Sequence, residues 1–93
     1  MLVIVKSAPD TPDGKRGVKL ARDMAADLVL IQNGVYFAQR ERLEGFCGTV
    51  HVLNDDLRLR GLSDNEIEKD VRRFGYDDFV DLLASEDKVT GMF

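Results

Sequence analysis

Between Leu28 and Tyr36 the chain reads LVLIQNGVY: four apolar residues together, then Gln32, Asn33 and Gly34, then an aliphatic-aromatic restart. The run is short for a helix and stops on turn-forming residues. It reads as a buried strand from Leu28 to Ile31, a tight turn at Asn33 and Gly34, and a short helix from Val35 to about Leu43. A strand, turn and helix in that order put the turn at the carboxyl end of a parallel sheet, where open α/β proteins gather ligand or partner chemistry. Tyr36 and Leu43 share one face of the expected helix, and Arg40, Glu41, Arg42 and Glu44 are solvated. Phe37 falls off that face, so it packs against the sheet or points toward a partner subunit.

The same grammar extends in both directions. Upstream, Leu2 to Val5 is a β-branched apolar run suited to a strand buried on both faces. The segment SAPDTPDG, from Ser7 to Gly14, reads as a loop. Apolar residues at helical spacing then predict a crossover helix from Lys15 to Ala26, with Gly17 costing its first turn roughly 1 kcal/mol relative to alanine. Downstream, TVHVL (Thr49 to Leu53) is a third strand. Asn54 is placed to cap a two-turn helix with Asp55 and Asp56 in its first turn, and Gly61 to end it.

The segment from Leu62 to Tyr76 admits two readings. Ser63 with Glu66 is a capping box for a helix through Arg73, whereas Val71 to Phe74 suits a short strand, the preferred assignment. Asp77 then caps a helix from Asp78 to Ser85 that turns Phe79, Leu82 and Leu83 inward, and Lys88 to Phe93 finishes as an edge strand. Strands and helices alternating over 93 residues predict one small α/β domain spanning residues 1–93. Its sheet is mostly parallel, of four or five strands, with helices on both faces and right-handed crossovers.

Composition narrows the function classes. The chain is 44% hydrophobic and 32% charged, with net charge -4, as in a soluble globular protein. The charge is uneven: seven basic and six acidic residues precede Asp55, and six basic with eleven acidic follow from there. Each phosphate contact needs a cation, so direct nucleic-acid binding is disfavoured. No apolar run approaches the roughly 18 residues of a membrane span, and LVIV is soon broken by Lys6 and Asp10, so neither membrane span nor signal peptide is expected. One cysteine, Cys47, and one histidine, His51, exclude an internal disulfide and a Cys/His zinc site. A cytoplasmic protein without metal or cofactor is the expectation. A small domain of this size buries its surface incompletely and gains from a partner chain.

Candidate site residues fall at the carboxyl rim of the sheet. Lys6 and Ser7, Gln32 and Asn33, and Asn54, Asp55 and Asp56 should converge there from three loops, with Gly34, Tyr36 and Phe37 beside them. As structural residues, Asn33 and Gly34 make the turn, Asn54 caps, and the two acids serve the helix dipole. As functional residues, they face a partner or an incoming carrier, with Lys6 supplying charge. Successive acids point in different directions, which argues against a metal pair. Cys47 precedes the third strand and so belongs at the opposite, amino end. Phe46 and the flanking glycines offer no cation to favour a thiolate, and a lone cysteine ordinarily packs as a small hydrophobe. His51 alternates with Val50 and Val52 and is read as a core or interface histidine, since general-base work needs convergent partners. An anion or nucleotide module built on Ser7 to Gly14 lacks both GxGxxG and the lysine-bearing P-loop.

Four segments carry a further resemblance: MLVIVKSAP at the start, LIQNGVYFA, VHVLNDDLRLRGL, and YDDFVDLLASEDKVTGMF at the close. In that order they resemble the TusB/DsrH family of sulfur-relay subunits within the DsrE/DsrF/DsrH-like group. The resemblance implies a small α/β fold in a hetero-oligomer with TusC/DsrF-like and TusD/DsrE-like partners. Such assemblies pass persulfide sulfur toward 2-thiouridine at the tRNA wobble position or serve dissimilatory sulfur oxidation. The chemistry needs a nucleophilic thiolate. DsrH-type members carry a cysteine in the first helix region, and Lys15 to Ala26 has none, as in TusB-type members lacking it. That departure implies a non-catalytic subunit, with Cys47 as the alternative persulfide carrier.

Overall fold

A computed structural model describes residues 1–85 and 89–93 of the chain. Five strands, β1 (Leu2–Val5), β2 (Asp27–Leu30), β3 (Val50–Leu53), β4 (Arg72–Phe74) and β5 (Val89–Met92), form one sheet in the order β4-β3-β2-β1-β5. All four strand pairings are parallel. Helices α1 (Pro12–Asp23), α2 (Asn54–Leu59) and α3 (Tyr76–Ser85) and two 3-10 helices, Gln32–Ala38 and Asp64–Glu66, make the connections. The expected α/β sheet with helices on both faces is the one observed, with five strands.

Side-chain alternation divides the core in two. Val3, Val5, Leu28, Leu30, Val50 and Val52 face one layer, where they meet Val18 and Ala21 of α1, Val35, Phe37 and Ala38 of the first 3-10 helix, and Leu57 of α2. Leu2, Ile4, Val29 and Leu53 face the other layer, covered by Phe79 of α3 with the half-buried Leu82 and Leu83. Strands β1 to β4 are added successively in one direction. The last crossover, through α3, carries the chain back over the opposite face to pair β5 with the free side of β1.

Several element boundaries differ from expectation, each for a reason visible in the hydrogen bonding. Helix α1 begins at Pro12, three residues before Lys15, because Thr11 is extended and its hydroxyl accepts the Gly14 N–H at 3.1 Å, with Pro12 pre-set for the first turn. The loop therefore shrinks to Ser7 through Thr11. The same helix stops at Asp23. Ala25 N–H donates to Arg22 O and Ala26 N–H to Ala21 O, a Schellman closure that places Ala25 at φ 52°, a conformation suited to glycine.

The helix expected from Val35 to Leu43 is instead the 3-10 helix Gln32–Ala38. The bend is made by Gln32, at φ 50°, and not by Gly34. Gly34 is required for another reason: it is buried against the Val5 carbonyl oxygen, which a Cβ would overlap. Beyond Ala38 the chain spends its hydrogen bonds elsewhere. Arg40 N–H donates to Glu66 O and Glu68 N–H to Ala38 O, both at 2.9 Å, so an antiparallel bridge between Gln39 and Ile67 replaces further helical turns.

Asn54 is the first helical residue of α2 and makes no side-chain capping bond; the extended Leu53 precedes it. Gly61, at φ 66°, ends the helix as expected, in a Schellman closure with Leu62 N–H on Leu57 O at 3.1 Å. The preferred strand assignment before α3 agrees with β4, and the capping box closes only a 3-10 turn, Ser63 Oγ lying 2.7 Å from Glu66 Oε1. Helix α3 begins at Tyr76, so Asp77 lies in its first turn rather than at its cap. The edge strand is observed as Val89–Met92; Lys88 lies outside the described residues.

These backbone constraints predict opposite responses to two small substitutions. Gly34→Ala forces backbone apart and costs about 2 kcal/mol or more. Ala25→Gly relieves a left-handed alanine and gains about 0.5–1 kcal/mol after the added freedom of the unfolded chain. Urea midpoints measure both, and a stabilised Gly34→Ala or a destabilised Ala25→Gly would contradict this description of the turns.

Candidate functional site

Of the rim residues, Lys6 and Ser7 leave β1 with both backbone N–H groups donating to the Phe93 carbonyl, each at 3.2 Å. The gap between β1 and β5 is where the strand order reverses, the usual ligand crevice of an open α/β sheet. Here the chain fills it with its own residues. The Phe93 ring packs beside Gly17 of α1 and Gly91 of β5, both close enough that a Cβ on either would press on it. The Lys6 side chain is exposed and Ser7 is half-buried.

The structure joins Gln32, Asn33 and Asp56 in one network around Arg60. Asp56 Oδ2 accepts the Gln32 N–H at 2.6 Å, Arg60 Nε donates to Asn33 Oδ1 at 3.0 Å, and Arg60 Nη1 stands 3.3 Å from Asp56 O and 3.5 Å from Asp56 Oδ1. The side chains of Arg60 and Asp56 are only 21% and 14% exposed, so the pair is partly withdrawn from solvent. Its chemistry is structural: the carboxylate satisfies the N–H of the left-handed Gln32 and ties the 3-10 helix to α2. A carboxylate so engaged is poorly placed to take a proton from a substrate. Arg60 was not among the sequence candidates; its signal was the i,i+4 spacing to Asp56.

Asn54 is half-buried and lies outside this network. It lines a neighbouring polar cleft of about 500 Å³ with Arg58, Arg73 and Asp78, beside the Arg73–Asp64 ion pair at 2.5 Å. Phe37 is buried in the core and Tyr36 is half-buried. Among the described residues, no group of three His, Cys, Asp or Glu side chains could hold a metal ion. Glu66 is held below the ordinary carboxylate value of 4.5, first by the Ser63 hydroxyl and then by the Ser63 backbone.

Cys47 is exposed and precedes β3 at the amino end of the sheet, away from the rim, with Sγ 3.6 Å from the Gly45 carbonyl. Its neighbours Phe46 and Gly48 line a cleft of about 410 Å³ that also takes in Glu41, Glu44, Glu68 and Asp70. His51 points into the α3 layer, its ring edge-on to Phe74 at 5.9 Å, and Phe74 in turn meets Phe79.

With this geometry in place, comparison with known proteins is specific. The family model described as DsrH like protein matches residues 13–89. The chain belongs to the DsrH-like family. It is therefore a sulfur-relay-related protein, in agreement with the resemblance carried by its sequence segments. This DsrH-like chain is also similar to a solved structure, the solution NMR structure of protein Tm0979 from Thermotoga maritima. Identity is 36%, covering 97% of this chain and 98% of that one, with a TM-score of 0.67. No curated protein matches. None of the helices among the described residues is long and apolar enough to cross a membrane.

The rim network of this DsrH-like chain has a measurable role. Asp56→Ala leaves the Gln32 N–H and Arg60 without their acceptor and costs about 1–3 kcal/mol in urea unfolding. Asp56→Asn, which keeps an acceptor oxygen, costs less. Equal losses in the two variants would show that the charge, and not the bond to Gln32, is what matters.

Proposed function

We propose that this DsrH-like chain is a non-catalytic subunit of a cytoplasmic persulfide-relay complex. In this reading it packs against TusC/DsrF-like and TusD/DsrE-like subunits and shapes the surface on which sulfur is delivered, with the tRNA wobble 2-thiouridine as the end product. Support comes foremost from the position of the one thiol. Sulfur transfer needs an acceptor thiolate that attacks the terminal sulfur of the donor persulfide, breaking the donor's S–S bond and releasing the donor as thiolate. Cys47 stands at the amino end of the sheet, beside a cleft bearing four carboxylates that repel an anionic persulfide donor. The carboxyl rim offers no thiol, and its polar groups are engaged in holding the turn to α2. What remains for the chain is to recognise, orient and stabilise its partners.

The expected result is a stable complex when the chain is co-expressed with the TusC-like and TusD-like proteins of its own source. Cys47→Ser should assemble normally and leave sulfur transfer in the reconstituted relay unchanged. Loss of transfer in an intact Cys47→Ser complex, with one added sulfur on the wild-type chain after exposure to a persulfide donor, would make it a carrier instead. Failure to associate with either protein would overturn the subunit reading. Unaltered wobble 2-thiouridine in a strain lacking the chain would move the end product away from tRNA.

A further inference from the structure

The two helical layers carry matching stripes of opposite charge. On the outer side of α1 the exposed Lys15, Lys19 and Arg22 recur at i, i+4 and i+7, and with Arg42 and the edges of the buried Val18 and Phe37 they line a shallow groove of about 440 Å³. Four cations and one acid, Asp23, border it, in a chain whose net charge is -4. Bonds from Arg22 to the Glu44 carbonyl and from Arg42 to Gln39, at 3.2 and 2.9 Å, hold its far wall. On the other side of the sheet, Asp77, Val80, Asp81 and Ala84 of α3 recur at i, i+3, i+4 and i+7, all exposed. Val80 is 49% and the adjoining Tyr76 62% accessible, apolar area with no cover among the described residues.

Laid side by side in the same direction, the exposed stripes match in charge at two positions, Lys15 with Asp77 and Lys19 with Asp81, and Arg22 falls beside Ala84. With one helix reversed, Lys15 meets Ala84 and Lys19 meets Val80, and one charge match, Arg22 with Asp77, is left in place of two. The stripes lie on opposite faces of one sheet, so they cannot meet within a molecule.

We propose that the α1 groove receives α3 of a second copy of this chain, with the two helices parallel. The contact uses different patches on the two molecules, so it is head to tail and builds a closed ring or an open stack. Exposed ion pairs are individually weak and screened by salt, with the exposed Val80 and Tyr76 supplying most of the apolar part. Lys19 exchanges its exposed partner Asp23, 2.8 Å away, for Asp81 at little cost. The inference stands on charge and spacing and is independent of the sulfur-relay reading.

Sedimentation velocity on a dilution series of the full chain tests it. At about 50 mM NaCl the protein should sediment above its 10.4 kDa monomer mass, and at about 500 mM it should return to monomer as the pairs are screened. Lys15→Glu/Lys19→Glu and Asp77→Lys/Asp81→Lys should each weaken association by about tenfold or more. Their equimolar mixture should recover it, because each reversed stripe then faces an opposite one. Circular dichroism and a cooperative urea transition establish that each variant is folded, and glutamine replaces the reversed residues in any that is not. A wild-type monomer at low salt, association unchanged in either variant, or no recovery on mixing would overturn the proposal. So would loss of tRNA binding, in place of self-association, from Lys15→Glu/Lys19→Glu.

Discussion

Four backbone segments converge on the carboxyl end of β1, and the fold depends on their fitting there. The Val5 carbonyl receives the Ile31 N–H at 3.1 Å and lies against Gly34, with no space for a side chain. Ile4 O receives the Phe93 N–H at 2.7 Å, and Phe93 O receives Lys6 and Ser7. One short strand thereby aligns β2, the start of the 3-10 helix and the far end of the chain. This is possible because β1 is apolar on both faces, its four residues LVIV all buried, so neither neighbour nor covering layer has to accommodate a polar side chain.

Much of this was legible from residue patterns. The short β-branched runs and the helical spacings between them led to a parallel sheet with two covered faces, and the strand before α3 was read from Val71 to Phe74. What escaped was local and had a common cause: hydrogen bonds made to distant residues. Gln32 bends because Asp56 receives its N–H, and the chain after Ala38 leaves the helix because Glu66 and Glu68 offer an alternative. Periodicity carries no trace of such pairings. The start of α1 was legible in principle, since Thr11-Pro12-Asp13 is a cap followed by first-turn residues; the density of loop formers around it obscured the signal.

The candidate site divides along the same line. Gln32, Asn33 and Asp56 were expected at one rim and do meet, but the group that joins them, Arg60, is the residue that caps the carboxyl end of α2. Lys6 and Ser7 reach the rim through backbone alone. Cys47 lies at the amino end, as its place before β3 implied. For a member of a sulfur-relay family, that leaves the chain's recognisable features in its surfaces and charge distribution more than in any reactive group.

The pairing of β1 with β5 also bears on how the molecule forms. Leu2 and Val89, near the two ends of the sequence, are partners in register, and α3, which covers Leu2, Ile4 and Val29, precedes β5 only narrowly. A nascent chain can align β1 through β4 and cover one face, yet the second face stays bare until α3 emerges, and β1 keeps an open edge until Val89–Met92 follows. Long sequence separation between contacting strands slows folding and prolongs exposure of apolar surface. Strand β1, interior in the sheet, is therefore made before both of the strands it pairs with and before the helix that covers its second face, and is among the last to be sealed.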